Sequence, residues 1–405
     1  MKEIWILNHY ASATSGRHYN FARLLNERGY SVKLFAASTV HGVGNNRIHG
    51  KDKKFTLDDE SGVPCIYVRT RGYSGNGRAR IVNMVDYAVR LMFVSREFDS
   101  VKPDVIYASS VHPLTWLSGY FLAKRYKARF VAETRDLWPE TLVAMGQIER
   151  NSIPARVLYW LERFIYTRAE RLVFTFPGGK DYVKSLGIET SKVTYINNGV
   201  DIQEFMKNKE RYVFEDADLE DPHTFKVVYA GSMGQANALQ YVVQAAEIIQ
   251  SQGINDVKFL LFGDGYQRQE LEDYAKQRGL SNIVFKGRLD KKFIPSVLDR
   301  ANLNIISGQH IPLYKYGLSP NKMFEYFASG KPTISNIECC YDILEKYGCG
   351  VTVKGGSAEA LARGVLDFYN MPEEIYNHFG ENALVAAKDF DFRVLVDKLE
   401  AILLQ

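Results

Sequence analysis

The segment that follows residue 318 combines residue types that could bind a diphosphate and a ribose. Ser319, Pro320, Asn321 and Lys322 predict a helix start, where free backbone N–H groups and the peptide dipoles favour an anion. Lys322 adds a full positive charge. Glu325 lies about one turn later, where its carboxylate could accept hydrogen bonds from two vicinal hydroxyls of a ribose. The pattern therefore indicates a nucleotide site; the alternative is an ordinary helix start with a solvated Glu325.

The size and charge of the chain narrow the classes of protein to which it can belong. Its 405 residues suggest two domains, and 46% apolar with 24% charged residues is normal for a globular protein. Residues 1–200 carry 29 Lys and Arg against 18 Asp and Glu, whereas residues 201–405 carry 22 against 29. A basic half could meet an anionic substrate, an anionic membrane or a nucleic acid, but no nucleic-acid-binding module is recognisable. We therefore expect no nucleic-acid partner.

The sequence contains neither a membrane-spanning run nor a clear metal motif. No apolar run reaches about 18 residues and the first residues are typical of a strand, so we expect a cytoplasmic protein. The four cysteines form no CxxC pair, which argues against a zinc site and a disulfide framework. Asp58 and Asp59 lie in a polar stretch that is better explained by solvation. We expect no metal and no cofactor.

Alternating strand and helix patterns must position these residues. In the N-terminal half the apolar runs predict five strands and a first helix at Arg17 to Arg28. The strands are Ile4–Leu7, Ser31–Ala36, Val105–Ala108, Arg129–Ala132 and Arg171–Phe174. In the C-terminal half a second series is predicted at Lys226–Ala230, Val257–Phe262, Ile283–Phe285, Leu303–Ile306 and Pro332–Ser335. Such alternation is typical of parallel sheets covered by helices, which bind ligands at the carboxyl ends of their strands.

The turn-forming residues Asn197 to Asp201 separate the two series. We therefore predict an α/β protein with two Rossmann-like doubly wound domains that face each other across a cleft. The predicted domains are residues 1–197 and residues 198–380. A final helical stretch, residues 381–405, is expected to cross back to the first domain.

Several motifs resemble those of a known family. Gly263-Asp264-Gly265, Val284 to Arg288 and Ser319 to Pro332 resemble the C-terminal half of the retaining GT-B glycosyltransferases of family 4. The joint at Asn198 to Asp201 and the loop with Gly16 fit as well, so the resemblance covers nearly the whole chain. Glu133 to Glu140 is similar to a segment of the branch that builds bacterial O-antigen and capsule repeat units, including N-acetyl-L-fucosamine transferases.

The resemblance implies that residues 1–197 are an acceptor-side domain and that residues 198–380 are a nucleotide-sugar-binding domain with the donor site. The backbone at Arg288 and Leu289 would hold the base, and Glu325 would bind the ribose. Further donor-binding residues implied in this way are Gly16, Gly231, Ser232, Gly263, Ser319, Pro320, Asn321 and Lys322. Glycine suits the positions beside phosphates because a side chain there would obstruct the ligand; the alternative for Gly231 and Gly263 is ordinary turn chemistry at strand ends.

Two positions depart from the family pattern. The family usually has a glutamate eight positions before the ribose-binding one, where this chain has Gly317. The family also commonly has an Arg and a Lys after the glycine of the first C-terminal strand, but residues 231–237 contain no cation. Neutralisation of the diphosphate is then expected to rest on Lys322, Arg288 and Arg135.

The resemblance implies transfer of a hexosyl or N-acetylhexosaminyl group with retention. The acceptor would attack the face from which the diphosphate leaves, and the leaving phosphate would take the acceptor proton without an enzyme nucleophile or a metal. Candidates for sugar and acceptor contacts are His112, Glu133, Arg135 and Asp136, which follow two N-terminal strands. The alternatives are an ion pair between Arg135 and Asp136 and a plain loop role for His112.

Residues 69–96 suggest contact with a membrane. Arg69, Arg71, Arg78 and Arg80 precede an apolar helical stretch at 81–94. Such a segment could touch the inner face of an anionic membrane to meet a lipid-diphosphate-linked acceptor. The alternative is a buried helix with a solvated basic approach.

The leading interpretation is a glycosyltransferase that moves a sugar from a nucleotide sugar, expected to be UDP-linked, to a lipid-linked glycan in bacterial surface polysaccharide synthesis. Alternatives are a transferase for a soluble acceptor, a phosphorylase- or epimerase-like relative, and a catalytically silent nucleotide- or glycan-binding subunit. A dinucleotide dehydrogenase is disfavoured because residues 8–16 lack the GxGxxG spacing.

Overall fold

The computed structural model describes residues 1–40, 44–48, 53–73, 75, 77–110 and 112–404. The strands are β1 Glu3–Leu7, β2 Ser31–Ala37, β3 Phe55–Asp58, β4 Cys65–Val68, β5 Val105–Ser109, β6 Arg129–Thr134, β7 Arg171–Phe174, β8 Val193–Tyr195, β9 Phe225–Ala230, β10 Val257–Phe262, β11 Ile283–Gly287, β12 Leu303–Ile306, β13 Thr333–Ser335 and β14 Gly350–Thr352. The helices are α1 Arg17–Glu27, α2 Arg78–Val94, α3 Pro113–Tyr126, α4 Glu140–Ala144, α5 Ile153–Arg168, α6 Gly179–Ser185, α7 Ile202–Arg211, α8 Ala217–Glu220, α9 Gln240–Ser251, α10 Arg268–Gln277, α11 Ile294–Asp299, α12 Asn321–Ala328, α13 Ile343–Tyr347, α14 Ala358–Tyr369, α15 Glu373–Asp389 and α16 Phe392–Leu404.

The chain divides into two compact units. The first consists of residues 1–197 and 392–405, and the second of residues 198–391. The single helical stretch predicted at the C-terminus is two helices, α15 in the second unit and α16 in the first. Phe390 and Asp391 break the helix between them. Within the described residues, no helix has both the length and the apolar composition to cross a bilayer.

The first unit is built on an eight-stranded sheet with the order β3-β4-β2-β1-β5-β6-β7-β8. All neighbours are parallel except β3, which runs antiparallel to β4 at the edge. Every residue of β1 and β5 is buried, as expected for strands covered on both faces. Trp5 on β1 packs against Phe35 on β2 with 5.0 Å between ring centroids, and Phe21 of α1 packs against Phe392 of α16.

The second unit has six parallel strands in the order β11-β10-β9-β12-β13-β14. Its core joins apolar residues of β9 and β10 to the inner faces of α9 and α14. In each unit the strand order reverses at one place, between β1 and β5 in the first and between β9 and β12 in the second. Open α/β sheets bind ligands at the carboxyl ends of the strands beside such a reversal.

Candidate functional site

In the second unit, the start of α12 is fixed by the joint that precedes the sheet. The Asn198 side-chain amide donates to the Ser319 carbonyl at 2.7 Å, and the Asn198 backbone N–H donates to Ser319 Oγ at 3.3 Å. Pro320 is the N-cap residue of α12 and supplies no side-chain oxygen to the first turn. The first N–H groups of this helix, at Asn321 and Lys322, can therefore receive an anion.

Lys322 extends from α12 to the carboxyl end of β9. Its ammonium donates to the Tyr229 hydroxyl at 2.7 Å and to Asn237 Oδ1 at 3.1 Å, and it lies 4.0 Å from the centre of the Tyr229 ring. The Tyr229 hydroxyl in turn donates to the Ser232 carbonyl at 2.6 Å. A Cβ on Gly231 would lie only 2.7 Å from the Lys322 ammonium. Lys322 thus brings a cation to the loop at 231–237, which has none of its own.

The glycines at the ends of β9, β10 and β11 pack backbone against backbone. Gly263 has a φ of +142°, and a Cβ on it would lie 1.7 Å from the Gly231 carbonyl oxygen. The Gly263 N–H donates to the Gly287 carbonyl at 2.7 Å, and the Gly231 N–H donates to the Phe262 carbonyl at 2.9 Å. Only glycine fits at 263, because both its conformation and its contact exclude a side chain. This packing explains why glycine occupies positions 231 and 263, and the explanation does not depend on a ligand.

The Glu325 side chain, on the same helix, is 24% exposed and forms an ion pair with Lys291 at 3.1 Å, whose own side chain is 68% exposed. An exposed lysine contributes little to an ion pair, so a ligand can displace it at low cost. Arg288 is exposed and Leu289 is half-buried, both directly after Gly287. Arg288 makes no hydrogen bond or ion pair to any residue that the structure describes, so its guanidinium can reach a ligand.

Gly317 is not a simple loss of a glutamate side chain. It has a φ of 98° and a ψ of 179°, a region that is essentially restricted to glycine. A glutamate would be strained on this backbone. The loop before α12 therefore has a backbone conformation that a glutamate at position 317 could adopt only with strain.

Burial lowers the pKa of Lys322 to about 7. Binding of a diphosphate favours the ammonium form, so above pH 7 binding must take up a proton. We expect the affinity for a nucleotide sugar to fall as the pH rises above about 7, by up to roughly tenfold per pH unit. Calorimetry across this range with a UDP-sugar checks it, and in the variant Lys322→Met the dependence should disappear. A pH-independent wild-type affinity would contradict the role of this ammonium.

In the first unit, the residues at the strand reversal form a second polar cluster. Asn8 follows β1 and donates from its amide to the Ser109 hydroxyl at the end of β5, at 3.0 Å. His9 and His112 follow the same two strands, and their rings meet with 2.6 Å between His9 Nδ1 and His112 Nε2. Val111, the residue before His112, lies outside the described residues. The structure thus joins the predicted candidate His112 to a second histidine that was not predicted.

The hydrogen bonds around Asn83 fix which nitrogens of these rings carry protons. The amide of Asn83 donates to the Arg71 carbonyl, which can only accept, so its Oδ1 faces His9 Nε2 at 2.7 Å and that nitrogen must be protonated. A neutral His9 ring then has Nδ1 as its acceptor, to which His112 Nε2 donates. Burial, and then His9 and Arg80, lower the pKa of His112 well below its usual range.

His112 Nδ1 is therefore an acceptor, and it is buried without a hydrogen-bond partner among the described residues. Such an atom suits a ligand hydroxyl, because an unsatisfied buried acceptor is costly. We call the chain Asn83, His9 and His112 the histidine relay. The relay orients the His112 ring through the hydrogen bond at His112 Nε2.

We expect His9→Phe to remove the hydrogen bond that orients the His112 ring. In the wild type, ¹⁵N NMR of the ring nitrogens should show His112 with a protonated Nε2 and a bare Nδ1, whereas the variant should show a mixture of tautomers. Turnover should fall by about 2- to 10-fold, the range for losing one neutral hydrogen bond. The variant His112→Gln assigns the signals. A wild-type His112 with a protonated Nδ1 would refute the relay.

Glu133 does not lie where a substrate could touch it. Its side chain is fully buried; Arg17 Nε and the Tyr107 hydroxyl donate to Oε1 at 2.7 and 2.6 Å, and His18 Nε2 donates to Oε2 at 2.7 Å. Burial opposes its charge, but Arg17 and His18 outweigh burial and hold the pKa of Glu133 well below its usual range. The predicted sugar contact is therefore corrected to a structural role beneath the strand ends.

In the part of the chain that the structure describes, Arg135 and Asp136 do not form an ion pair with each other. The alternative interpretation of these two residues was such a pair. Asp136 is exposed, and Arg135 Nε is buried without a hydrogen-bond partner there. The Arg135 N–H donates to Ser110 Oγ at 3.2 Å, which holds the residue at the end of β6. Arg135 can thus offer a donor to an anionic oxygen. Gly16 begins α1 with a φ of 90° and stays a predicted phosphate contact.

Four residues that complete these clusters were not predicted from the sequence: Tyr229, Asn237, His9 and Asn83. His9 had a signal, because it lies two residues after the end of the first strand. The other three had none, since they lie inside a strand, a turn and a helix that long-range packing brings into place.

Two family models match the chain, one for each unit. A glycosyl transferase 4-like domain matches residues 16–199, and a glycosyl transferases group 1 domain matches residues 224–371. The chain is a glycosyltransferase. It is 25% identical over 304 residues to the probable glycosyltransferase WbjE of Pseudomonas aeruginosa, covering 71% of this chain and 70% of that protein. It is also 25% identical over 309 residues to the putative colanic acid biosynthesis glycosyl transferase WcaI of Escherichia coli, covering 73% of each.

A solved structure shares the whole fold of this glycosyltransferase. The trehalose-6-phosphate structure from Escherichia coli, bound with UDP-2-fluoro glucose, has a TM-score of 0.76 at 9% identity and covers 100% of this chain and 99% of its own. The predicted GT-B fold with two doubly wound α/β domains is confirmed.

Proposed function

We propose that this glycosyltransferase moves a sugar, with retention of anomeric configuration, from a UDP-sugar to a lipid-diphosphate-linked glycan. The site at the start of α12 would bind the UDP-sugar, and the strand ends of the first unit would supply contacts to the sugar and the acceptor. The product would extend a bacterial surface polysaccharide.

The observation that carries the proposal is the ammonium of Lys322. It is held by two neutral oxygens, and burial alone lowers its pKa. No carboxylate forms an ion pair with Lys322 in the described ranges of the chain. A cation without a counter-ion, beside an uncapped helix start and a loop of glycines, fits a diphosphate. A UDP-linked donor is supported by the UDP-2-fluoro glucose in the structure of the same fold.

The chemistry that follows needs no protein nucleophile. The bond between the anomeric carbon and the diphosphate oxygen breaks, a bond from the acceptor oxygen forms on the same face, and the acceptor proton passes to the leaving diphosphate. Lys322 and the first N–H groups of α12 would stabilise the charge that develops on that diphosphate. Arg135 offers a further donor, and His112 Nδ1 would accept a hydrogen bond from a sugar or acceptor hydroxyl.

The names of the relatives support the acceptor class. WcaI is named for colanic acid biosynthesis, and its likeness covers most of the chain. A lipid-diphosphate-linked acceptor would place this enzyme at the inner face of the membrane.

A two-stage experiment tests the function. A thermal-shift screen of nucleotide sugars should identify the donor, because a ligand that binds the native state raises the melting temperature. UDP release in the presence of a lipid-linked acceptor should then follow, and NMR of the product should show the anomeric configuration of the donor. Binding of a nucleotide sugar without release of UDP in the presence of any acceptor would indicate a silent binding subunit instead.

Glu325→Ala should weaken UDP binding by about 1–3 kcal/mol, the range for losing hydrogen bonds to a charged group. Calorimetry measures the change. Lys291→Ala is the matched control, because it removes the ion pair of Glu325 but leaves the carboxylate free for the ribose, so its effect should be small. Unchanged affinity in Glu325→Ala would exclude the ribose contact.

A further inference from the structure

Three neighbouring helices of the first unit expose an unusual amount of apolar surface. On α2, five side chains are between 43% and 60% exposed: Ile81, Val82, Val85, Val89 and Phe93. Their spacing follows the helical repeat, so they form one stripe. The opposite side of α2 is buried against the unit, including Met84, Tyr87 and Leu91. The helix is therefore apolar on both sides, and packing within the unit uses only one of them.

The apolar surface continues from α2 over α3 to α5. The Ser118 hydroxyl of α3 donates to the Ala88 carbonyl of α2 at 3.0 Å, which joins these two helices. Tyr120 of α3 then meets Phe164 of α5 with 5.2 Å between ring centroids. On the outside lie Phe121, 49% exposed, and Trp160, 63% exposed.

The far end of this surface is also apolar, since Ile153 and Val157 on α5 are 78% and 55% exposed. We call the exposed side of α2, α3 and α5 the three-helix face.

Basic side chains are interspersed among these apolar ones. The three helices contain eight Lys and Arg but only two acidic residues. Of the acidic ones, Glu162 is buried and Asp86 is paired with Arg90 at 2.5 Å. Arg168 lies 3.9 Å from the centre of the Phe164 ring. The accessible charge of the face is therefore positive, and the Phe164 ring is stacked with a cation.

The structure changes which arginines belong to this surface. Arg80 turns away to the Tyr10 hydroxyl, to which its Nε donates at 3.0 Å, and Arg69 donates to the Lys53 carbonyl. Of the four arginines predicted to approach a membrane, Arg80 thus points to the strand ends. The described part of the predicted segment at 69–96 is only one edge of a wider face.

We propose that the three-helix face docks on an anionic lipid surface. Aliphatic side chains and the ring of Trp160 would enter the region between headgroups and acyl chains, while Lys and Arg would meet the lipid phosphates. The positive charge of the face favours a lipid surface over a second copy of the protein. A positive apolar face complements an anionic bilayer, whereas two such faces would repel one another. The inference deepens the proposed function by presenting a lipid-linked acceptor, but docking itself does not depend on transfer.

Flotation of the full chain with vesicles tests the proposal. The protein should float with phosphatidylglycerol and phosphatidylcholine mixtures, and not with phosphatidylcholine alone. A charge variant carries Arg78→Ser, Lys124→Ser and Arg156→Ser, three exposed positions on α2, α3 and α5. Its partitioning should be roughly 100-fold weaker, from the contribution of each charge near an anionic surface.

A second variant and a matched control separate apolar insertion from loss of folding. Phe93→Ser, Phe121→Ser and Trp160→Ser should also abolish flotation, whereas Val213→Ser, Ile375→Ser and Val385→Ser, equally exposed positions in the second unit, should leave it unchanged. UDP binding should persist in all three, which distinguishes loss of docking from loss of the donor site.

Two results would overturn the proposal. One is a wild-type protein that fails to float with anionic vesicles, or floats equally well after both sets of substitutions on the face. The other is a concentration-dependent dimer in sedimentation that the apolar variant abolishes, because the face would then be a subunit interface.

Discussion

Lys322→Met should reduce kcat by about 100- to 1,000-fold, the range for removing one group that stabilises transition-state charge. The loss in kcat should exceed the loss in UDP affinity, because the ammonium is worth most when the diphosphate departs and gains charge. UDP release under saturating donor measures the first, and calorimetry the second.

Lys346→Met is the matched control for this variant. Lys346 is exposed on α13, and its ammonium lies beside the ring of the next residue, Tyr347. Both kcat and UDP affinity should stay at the wild-type value. Equal losses of turnover and affinity in Lys322→Met would show that the residue only anchors the donor, and wild-type turnover would remove it from the site.

Glu133→Gln should destabilise the first unit by about 3–5 kcal/mol, because it leaves a buried cation without its counter-charge. Arg17 also donates to the Ile196 carbonyl at 2.9 Å and to the Asn197 carbonyl, so the same guanidinium joins α1, β6 and the chain after β8. All four tryptophans, Trp5, Trp116, Trp138 and Trp160, lie in residues 1–197. Their fluorescence during urea denaturation therefore reports on this unit.

Glu170→Gln is the control for a surface ion pair. Glu170 pairs with Arg129 at 2.6 Å, but its side chain is 47% exposed. Its loss should cost less than about 1 kcal/mol. If Glu133→Gln costs no more than this control, the buried cluster around Glu133 does not have the structural role assigned to it.

Much of the fold could be predicted because a parallel strand buried on both faces is a continuous apolar run. The predicted strand at Val257–Phe262 has the observed limits, and the predicted one at Ile4–Leu7 is extended by Glu3 alone. The strands β3, β4, β8 and β14 were not predicted. The edge strands β3, β8 and β14 have three or four residues and are only partly buried, so their patterns resemble those of loops, and the buried strand β4 has only four residues.

The candidate site was predictable where one short segment holds the chemistry and not where tertiary packing creates it. Lys322 and Glu325 share a helix, so their spacing was visible in the sequence. Glu133 was predicted at a strand end, but the local sequence does not show that Arg17 and His18 of α1 contact its carboxylate. His112 owes its proton arrangement to His9 and Asn83, which are 103 and 29 positions away along the chain.

A crystal structure with bound UDP tests the central claim most directly. The diphosphate should lie against the first N–H groups of α12 and the ammonium of Lys322, with the ribose hydroxyls on Glu325 in place of Lys291. UDP bound elsewhere, with the start of α12 empty, would contradict the account.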